Sequence, residues 1–166
     1  MRAGKLPEGW VKEKLGLLAK TITKGTTPTT LGFEYINQGI PFIKVENIDD
    51  SGLSITSVHQ FISEEAHVAL RRSQLEENDI LFSIAGTIGK TAVVKNQHTP
   101  ANTNQAVAII RGTNDVVLPD FLRQQLKFNA YKIFKESARG GAMNNVSLGD
   151  LKSVDFQFPH LIEQAI

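Results

Sequence analysis

The chain has 166 residues, of which 41% are hydrophobic and 21% are charged, so it is long enough for one domain with its own core. It contains no cysteine, which excludes a disulfide framework and a thiolate metal site. No apolar run approaches the roughly 18 residues that span a membrane, and none follows the first five residues, as a secretory signal would require. We therefore expect a cytoplasmic protein.

The net charge of +1 hides an uneven distribution of basic and acidic side chains. Residues 1–24 carry six Lys or Arg against two Glu, residues 25–89 carry three against nine Asp or Glu, and residues 123–139 carry five against one. Two basic segments that converge in the fold would give one positive face for phosphates. The alternative is ordinary surface charge that keeps the protein solvated.

The first half of the chain predicts short elements separated by turns. Leu15, Leu17 and Leu18 indicate a short helix, and residues 21–23 a strand that stops at the turn cluster 24–28. Residues 41–45 predict a strand at a sheet edge, because Pro41 lacks a backbone donor. A polar loop follows from Asn47 to Gly52.

The second half predicts two helices and several strands. Ser63 caps a helix that runs to about Arg72. Residues 79–84 and 91–94 predict a hairpin, and residues 105–110 another strand. The most regular helix begins at Pro119 and ends at Gly140, and a capped helix and a strand then lead to Pro159. The elements together predict an α+β single globular domain with a mixed or antiparallel twisted sheet and a few helices.

The sequence offers no sign of catalysis. Its four histidines are scattered without metal-ligand spacing, and no phosphate-binding Walker loop, dinucleotide fingerprint or nucleophile elbow is found. We therefore predict a non-catalytic protein with no metal site.

Six blocks of sequence stand out in order along the chain, at residues 6–16, 24–28, 39–44, 79–89, 102–107 and 140–166. Each block alone is a weak signal, and their order carries the resemblance. Taken in order, they resemble the target-recognition domain in the specificity subunits of type I restriction-modification enzymes.

The resemblance implies a DNA-recognition domain over residues 1–159 and the truncated start of a long spacer helix over residues 160–166. It implies as partners double-stranded DNA, the modification (methyltransferase) subunits and, through them, restriction subunits. S-adenosylmethionine, ATP and Mg are expected on those partners, and no cofactor in this chain. A complete member has two such domains, so the chain would be a fragment or a half-length subunit that forms a homodimer. The recognition domain of a fused restriction-methylation enzyme and a protein-interaction module are alternatives.

Two groups of side chains are candidates for DNA contact. Lys24, Lys90 and Arg139 each adjoin a glycine, where the backbone can approach a phosphate closely, and Lys127 could add a further phosphate contact. Asn and Gln can pair with adenine through two hydrogen bonds, each such pair being worth about 1–3 kcal/mol in discrimination. The base-reading candidates are Asn47, Asn102, Asn104, Gln105, Asn144 and Asn145. The alternative for each Asn is turn chemistry.

Overall fold

The computed structural model describes residues 6–113, 115–138 and 145–165. Within these residues lie nine strands and four α-helices, with several short 3-10 helices between them. The strands are β1 (Val11–Lys14), β2 (Thr21–Lys24), β3 (Ile40–Ile43), β4 (Phe61–Ile62), β5 (Ile80–Ser83), β6 (Thr91–Val93), β7 (Asn102–Thr103), β8 (Val107–Arg111) and β9 (Asp155–Phe158). The helices are α1 (Leu15–Leu18), α2 (Glu64–Ala69), α3 (Pro119–Ser137) and α4 (Leu148–Ser153). The α+β class predicted from the sequence is confirmed.

A four-stranded antiparallel sheet in the order β2-β8-β5-β6 forms the centre of the domain. Its apolar side chains alternate between two faces, as the period of a strand requires. One face, with Ile80, Phe82 and Val93, belongs to the core under α3 and α4. The other face, with Leu81, Ala92 and Ile109, packs against the second cluster, which includes Ile43 and Ile48.

A three-stranded sheet in the order β4-β3-β7 lies beside the central one. The predicted edge position of the strand around Pro41 is wrong, because β3 is the middle strand. The reason is that each neighbour pairs with only half of β3: Ile40 and Pro41 face β4, whereas Phe42 and Ile43 face β7 in parallel. Pro41 is the register partner of Phe61, and the next residue, Phe42, donates its backbone N–H to Gln60 O at 2.9 Å, so the pairing with β4 continues past the proline.

Helix α3 covers the central sheet through Leu122, Leu126 and Ile133, which are all buried. It approaches the β5–β6 hairpin so closely that a Cβ atom built on Gly89 would lie 2.6 Å from the Cβ of Ala130. Glycine at this turn therefore lets helix and hairpin pack together.

Two elements after α3 complete the domain. The predicted capping box at α4 is present, since Ser147 Oγ accepts from the backbone N–H of Asp150 at 3.0 Å. Strand β9 then pairs antiparallel with β1. Residues 161–165 form a 3-10 helix, where the sequence predicted the first turn of a long α-helix. The amide of Gln164 holds this segment, because its Oε1 accepts from Leu118 N–H at 2.8 Å and its Nε2 donates to Pro159 O at 2.8 Å.

Candidate nucleic-acid interface

One end of the central sheet gathers several of the predicted contact segments. The residues that mark this end, which we call the loop edge, are Lys24, Ser83, Thr91 and Val107. The loop after β2, the turn between β5 and β6 and the loop before β8 all leave the sheet there. Since neighbouring strands lie about 4.8 Å apart, the four strands place β2 and β6 about 14 Å from each other. Lys24 and Lys90 therefore lie toward opposite sides of the loop edge.

The loop from Lys24 to Thr27 is seated on the strand beside it by its glycine. The N–H of Gly25 donates to Val107 O at 3.3 Å and that of Thr26 to Thr103 O at 3.2 Å. A Cβ atom on Gly25 would lie 2.0 Å from Thr103 O, so no other residue fits there without displacing the loop. The exposed side chain of Lys24 is thereby fixed at the loop edge.

Polar side chains from three separate segments meet around this loop. Arg72 Nη2 donates to Thr26 Oγ1 at 3.1 Å, and Thr27 Oγ1 donates to Gln105 Oε1. Arg71 and Arg72 are both exposed in the 3-10 helix that follows α2. The group formed by Lys24, Arg71, Arg72 and Gln105 can offer cations to phosphates and an amide to a base edge.

The two arginines, with Thr26 and Thr27, were missed by sequence reasoning. The available signal was the pair Arg71-Arg72 directly after a helix. Arg72 and its partner Thr26 are 46 positions apart, however, so only the fold shows that they are neighbours.

Two of the predicted base-reading residues are buried. Asn102 is fully buried; its Oδ1 pairs with His67 Nδ1, and its Nδ2 donates to Leu70 O at 3.2 Å and to Ser73 Oγ at 3.1 Å. The side chain therefore fixes the Arg71–Ser73 segment from beneath. The expectation of a base-reading loop tip does not match this placement, because donors and acceptor already have partners inside the protein.

Asn47 is likewise buried, with 4% of its surface exposed. Its Oδ1 accepts from Lys44 N–H at 2.9 Å, and its Nδ2 donates to Ser57 O at 2.8 Å. This amide holds the polar loop in shape, which again differs from the predicted base contact and agrees with turn chemistry.

The other candidates are divided between the loop edge and undescribed positions. Gln105 is exposed, and half-buried Asn104 accepts the N–H of Ala106 through its Oδ1 at 3.1 Å. Asn145 is exposed and lies near the β5–β6 turn, because the next residue, Val146, donates to Ile84 O at 2.9 Å. Arg139 and Asn144 lie outside the described residues.

The predicted phosphate contacts Lys90 and Lys127 line a cavity of about 330 Å³ between the hairpin turn, α3 and the loop that carries Asp49 and Asp50. Lys90 Nζ donates to Val45 O at 3.1 Å, and Lys127 Nζ forms an ion pair with Asp50 Oδ1 at 2.8 Å. Lys127, by hydrogen bond and by charge, lowers the pKa of Asp50. The two lysines and two aspartates that line the cavity balance one another in charge.

The described part of the chain holds neither a cluster of metal-ligating side chains nor a helix suited to a membrane. No three His, Asp or Glu side chains within it are close enough to share a metal ion. None of its helices is both long and apolar enough to cross a membrane.

Comparison with known proteins identifies the family. The model of the type I restriction modification DNA specificity domain matches residues 7–166, so the chain belongs to this family. It is 28% identical over 160 residues to the type I restriction enzyme EcoBI specificity subunit of Escherichia coli. The aligned region covers 96% of this chain and 33% of that protein. The chain thus spans about a third of the length of this relative.

Solved structures show the same fold. A chain in a structure of the type I R-M system superposes on this chain with a TM-score of 0.75 at 21% sequence identity. The match covers 99% of this chain and 37% of that chain. The HsdS subunit from Thermoanaerobacter tengcongensis superposes with a TM-score of 0.70 at 18% sequence identity, and the match covers 99% of this chain and 41% of that subunit.

Proposed function

We propose that this chain is a non-catalytic, sequence-specific reader of double-stranded DNA, acting as a recognition domain of a type I specificity subunit. The observation that carries the proposal is the loop edge, where one end of a rigid sheet collects exposed cations and exposed amides from separate segments. This arrangement suits DNA, whose recognition divides between phosphate contacts that position the protein and base contacts that specify the sequence.

Lys24, Arg71 and Arg72 take the positioning role in this proposal. All three are exposed, and Arg72 contacts Thr26, two residues after Lys24. If each of these cations neutralised one phosphate, condensed counterions would be released from the duplex. Gln105 and Asn145 take the base-reading role, because both are exposed amides at the loop edge. The buried Asn47 and Asn102 serve as supports for the segments around them.

The same proposal assigns the chemistry to partner subunits. Modification subunits would flip and methylate an adenine with S-adenosylmethionine, and restriction subunits would use ATP and Mg to cleave unmodified DNA. A chain with a single recognition domain would act within a longer subunit, as a half-length homodimer or inside a fused restriction-methylation enzyme.

A protein-docking role is the second candidate, and one feature of α3 favours it. Phe128 and Tyr131 are 89% and 74% exposed on the side of the helix that faces away from the core. Exposed aromatic side chains on one helix face are typical of protein contacts. This role would add to DNA recognition if the partner is a modification subunit, and would replace it if the chain binds no DNA.

Selection of random duplexes by the purified protein, followed by sequencing, tests the proposal. We expect enrichment of a short motif, with log Kobs falling linearly against log salt. Arg72→Ala should reduce that slope by about 0.9, the value for one phosphate contact. Gln105→Ala should relax the preference at one base pair by about 1–3 kcal/mol.

Lys20→Ala is the matched control. Lys20 precedes the opposite end of β2 and pairs with Asp115 at 3.0 Å, so its loss removes one positive charge away from the loop edge. Equal effects of Lys20→Ala and Arg72→Ala would show that only overall charge matters. Failure to retain any duplex at low salt would refute DNA recognition and leave protein docking.

A further inference from the structure

The cavity beside Lys90 and Lys127 has a feature that ordinary surface ion pairing does not explain. Thr91 is 3% exposed and lines the cavity, and its buried hydroxyl has no hydrogen-bond partner among the described residues. A buried polar atom without a partner is costly and calls for an explanation such as an unfilled ligand site. Thr91 and Val93 share a sheet face, which is the face covered by α3. The hydroxyl therefore lies on the side of β6 that faces α3, the helix that carries Lys127.

The two aspartates at the mouth of the cavity play different parts. Asp49 is used within its own turn, where its Oδ1 accepts the backbone N–H groups of Ser51 at 2.7 Å and of Gly52 at 3.1 Å. The side chain of Asp50 is instead 97% exposed and reaches across to Lys127. Of the two aspartates, Asp50 is the one that forms an ion pair with a lysine of the cavity.

Asp50 can leave Lys127 without a change of the backbone. Its carbonyl oxygen accepts from Arg123 Nη2 at 3.2 Å, and the same guanidinium donates through Nε to Thr91 O at 3.3 Å. Arg123 thus ties the loop to β6 whatever the Asp50 side chain does. Because exposed pairs contribute little to stability, a rotation of that side chain releases Lys127 at small cost.

We propose that this cavity is a phosphodiester site guarded by Asp50, which a DNA phosphate displaces from Lys127 on binding. The phosphate would accept hydrogen bonds from the Lys127 ammonium and the Thr91 hydroxyl, with Lys90 adding charge. The site lies at the β6 side of the loop edge, about 14 Å from Lys24 by strand spacing, so it extends the DNA track assigned above. The inference rests on the proposed function and adds to it a further phosphate contact, for which Asp50 is a built-in competitor.

Duplex affinity measured against salt for charge variants tests this. Asp50→Asn should tighten binding at low salt up to about fivefold, the range expected from removing one exposed competing pair. Lys127→Gln should reduce the slope of log Kobs against log salt by about 0.9. In the Lys127→Gln background, Asp50→Asn should have no further effect, because nothing remains to be released.

Asp115→Asn is the matched control, since it removes the same charge from an exposed pair with Lys20 at 3.0 Å near the opposite end of the sheet. If Asp115→Asn tightens binding as much as Asp50→Asn, the effect is general charge and the inference is wrong. It is also wrong if the Asp50→Asn gain survives in Lys127→Gln, or if Lys127→Gln leaves the slope unchanged.

Titration with inorganic phosphate, followed by the amide NMR signals of residues 89–91, distinguishes the source of the phosphate. We expect saturation at lower concentration in Asp50→Asn than in the parent protein, and reversal by added duplex. Phosphate binding that duplex does not reverse would assign the cavity to a free phosphate and overturn the inference. Duplex binding that depends on Arg72 but not on Lys127 refutes this site alone, whereas absence of duplex binding refutes the proposed function with it.

Discussion

Arg111 at the end of β8 forms a two-point ion pair with a fully buried carboxylate, that of Asp79, and removing the arginine tests how much this pair stabilises the fold. Its Nε donates to Asp79 Oδ1 at 2.7 Å and its Nη2 to Asp79 Oδ2 at 2.6 Å, while Nη2 also reaches Gln74 O at 2.9 Å. Asp79 is fully buried, and its Oδ2 also accepts from Glu76 N–H at 2.7 Å. The change we consider is Arg111→Met, which keeps the length of the side chain and removes its charge.

The expected loss is large because Asp79 has no access to water. Removing one partner of a buried ion pair leaves an uncompensated charge and costs about 3–5 kcal/mol. Domains of this kind have a total unfolding free energy of about 5–15 kcal/mol, so the variant should be close to its limit of stability. Lys95→Met is the control: it breaks the Lys95–Asp120 pair, whose side chains are 49% and 69% exposed, and should cost less than about 1 kcal/mol.

The loss should also depend on pH with a definite sign. Burial raises the pKa of Asp79, and the hydrogen bonds and charge of Arg111 counteract that rise. A carboxyl group whose pKa is higher in the folded state than in the unfolded state, where it is about 3.9, stabilises the fold at pH below that unfolded value. This contribution is lost as pH rises through the folded-state pKa. Without Arg111 the folded pKa rises further. The deficit of Arg111→Met should therefore be greatest at pH 7 and shrink toward pH 5.

Urea unfolding of both variants at the two pH values gives the measurement, with midpoint and slope compared to the parent protein. A double variant that also carries Asp79→Asn should recover part of the loss, since no buried charge remains. A loss at pH 7 no greater than that of Lys95→Met, or one that does not change with pH, would refute the reasoning.

Two further predictions concern the loop edge and α4. Gly25→Ala should lower the unfolding free energy by about 1–3 kcal/mol through overpacking and weaken duplex binding, because its Cβ would meet Thr103 O at 2.0 Å. Gly149→Ala is the control, because Gly149 lies in a helix and a Cβ atom there would have its nearest contact at 3.6 Å. This control should be neutral or stabilising in the same chemical denaturation and binding assays. Ser147→Ala should cost about 1 kcal/mol at pH 7 through the lost cap. The hydrogen bond from the Ser147 hydroxyl is also the largest cause that lowers the pKa of Asp150. Its contribution to stability is present above about pH 3.9 and is lost as pH falls through the folded pKa. The stability lost in Ser147→Ala should therefore become smaller when unfolding is measured in acid, and a loss that stays constant from pH 7 to pH 3 would contradict this account.

Elements whose signals are local could be predicted from the sequence. The hairpin of β5 and β6, the helix that begins at Pro119 and the capping box of Ser147 and Asp150 all depend on residues within a few positions of one another. The order of sequence blocks also led to the family, which the match over residues 7–166 confirms.

Features that depend on distant pairing could not be predicted. The parallel pairing of Ile43 with Thr103 places β3 in the middle of its sheet and buries Asn102 under the segment that carries Arg72. No periodicity near Asn102 distinguishes it from Asn104, which lies two positions later and is half-buried. The loop edge as a site, with Arg71 and Arg72 in it, follows only from the register of the strands.

The two ends of the central sheet differ in what their residues do, and strand β8 runs from one end to the other. Its first residue, Val107, lies at the loop edge, and its last, Arg111, forms the buried pair with Asp79. At about 3.3 Å per residue the two ends are about 13 Å apart. Changes at exposed positions such as Gln105 or Asn145 therefore leave the Arg111–Asp79 interaction and the apolar faces untouched. Because distant substitutions contribute independently to stability, the side chains proposed to read bases can change without loss of the fold. The exceptions are Gly25 and Asn102. There is no room for a side chain at Gly25, and the amide of Asn102 is already hydrogen-bonded inside the protein.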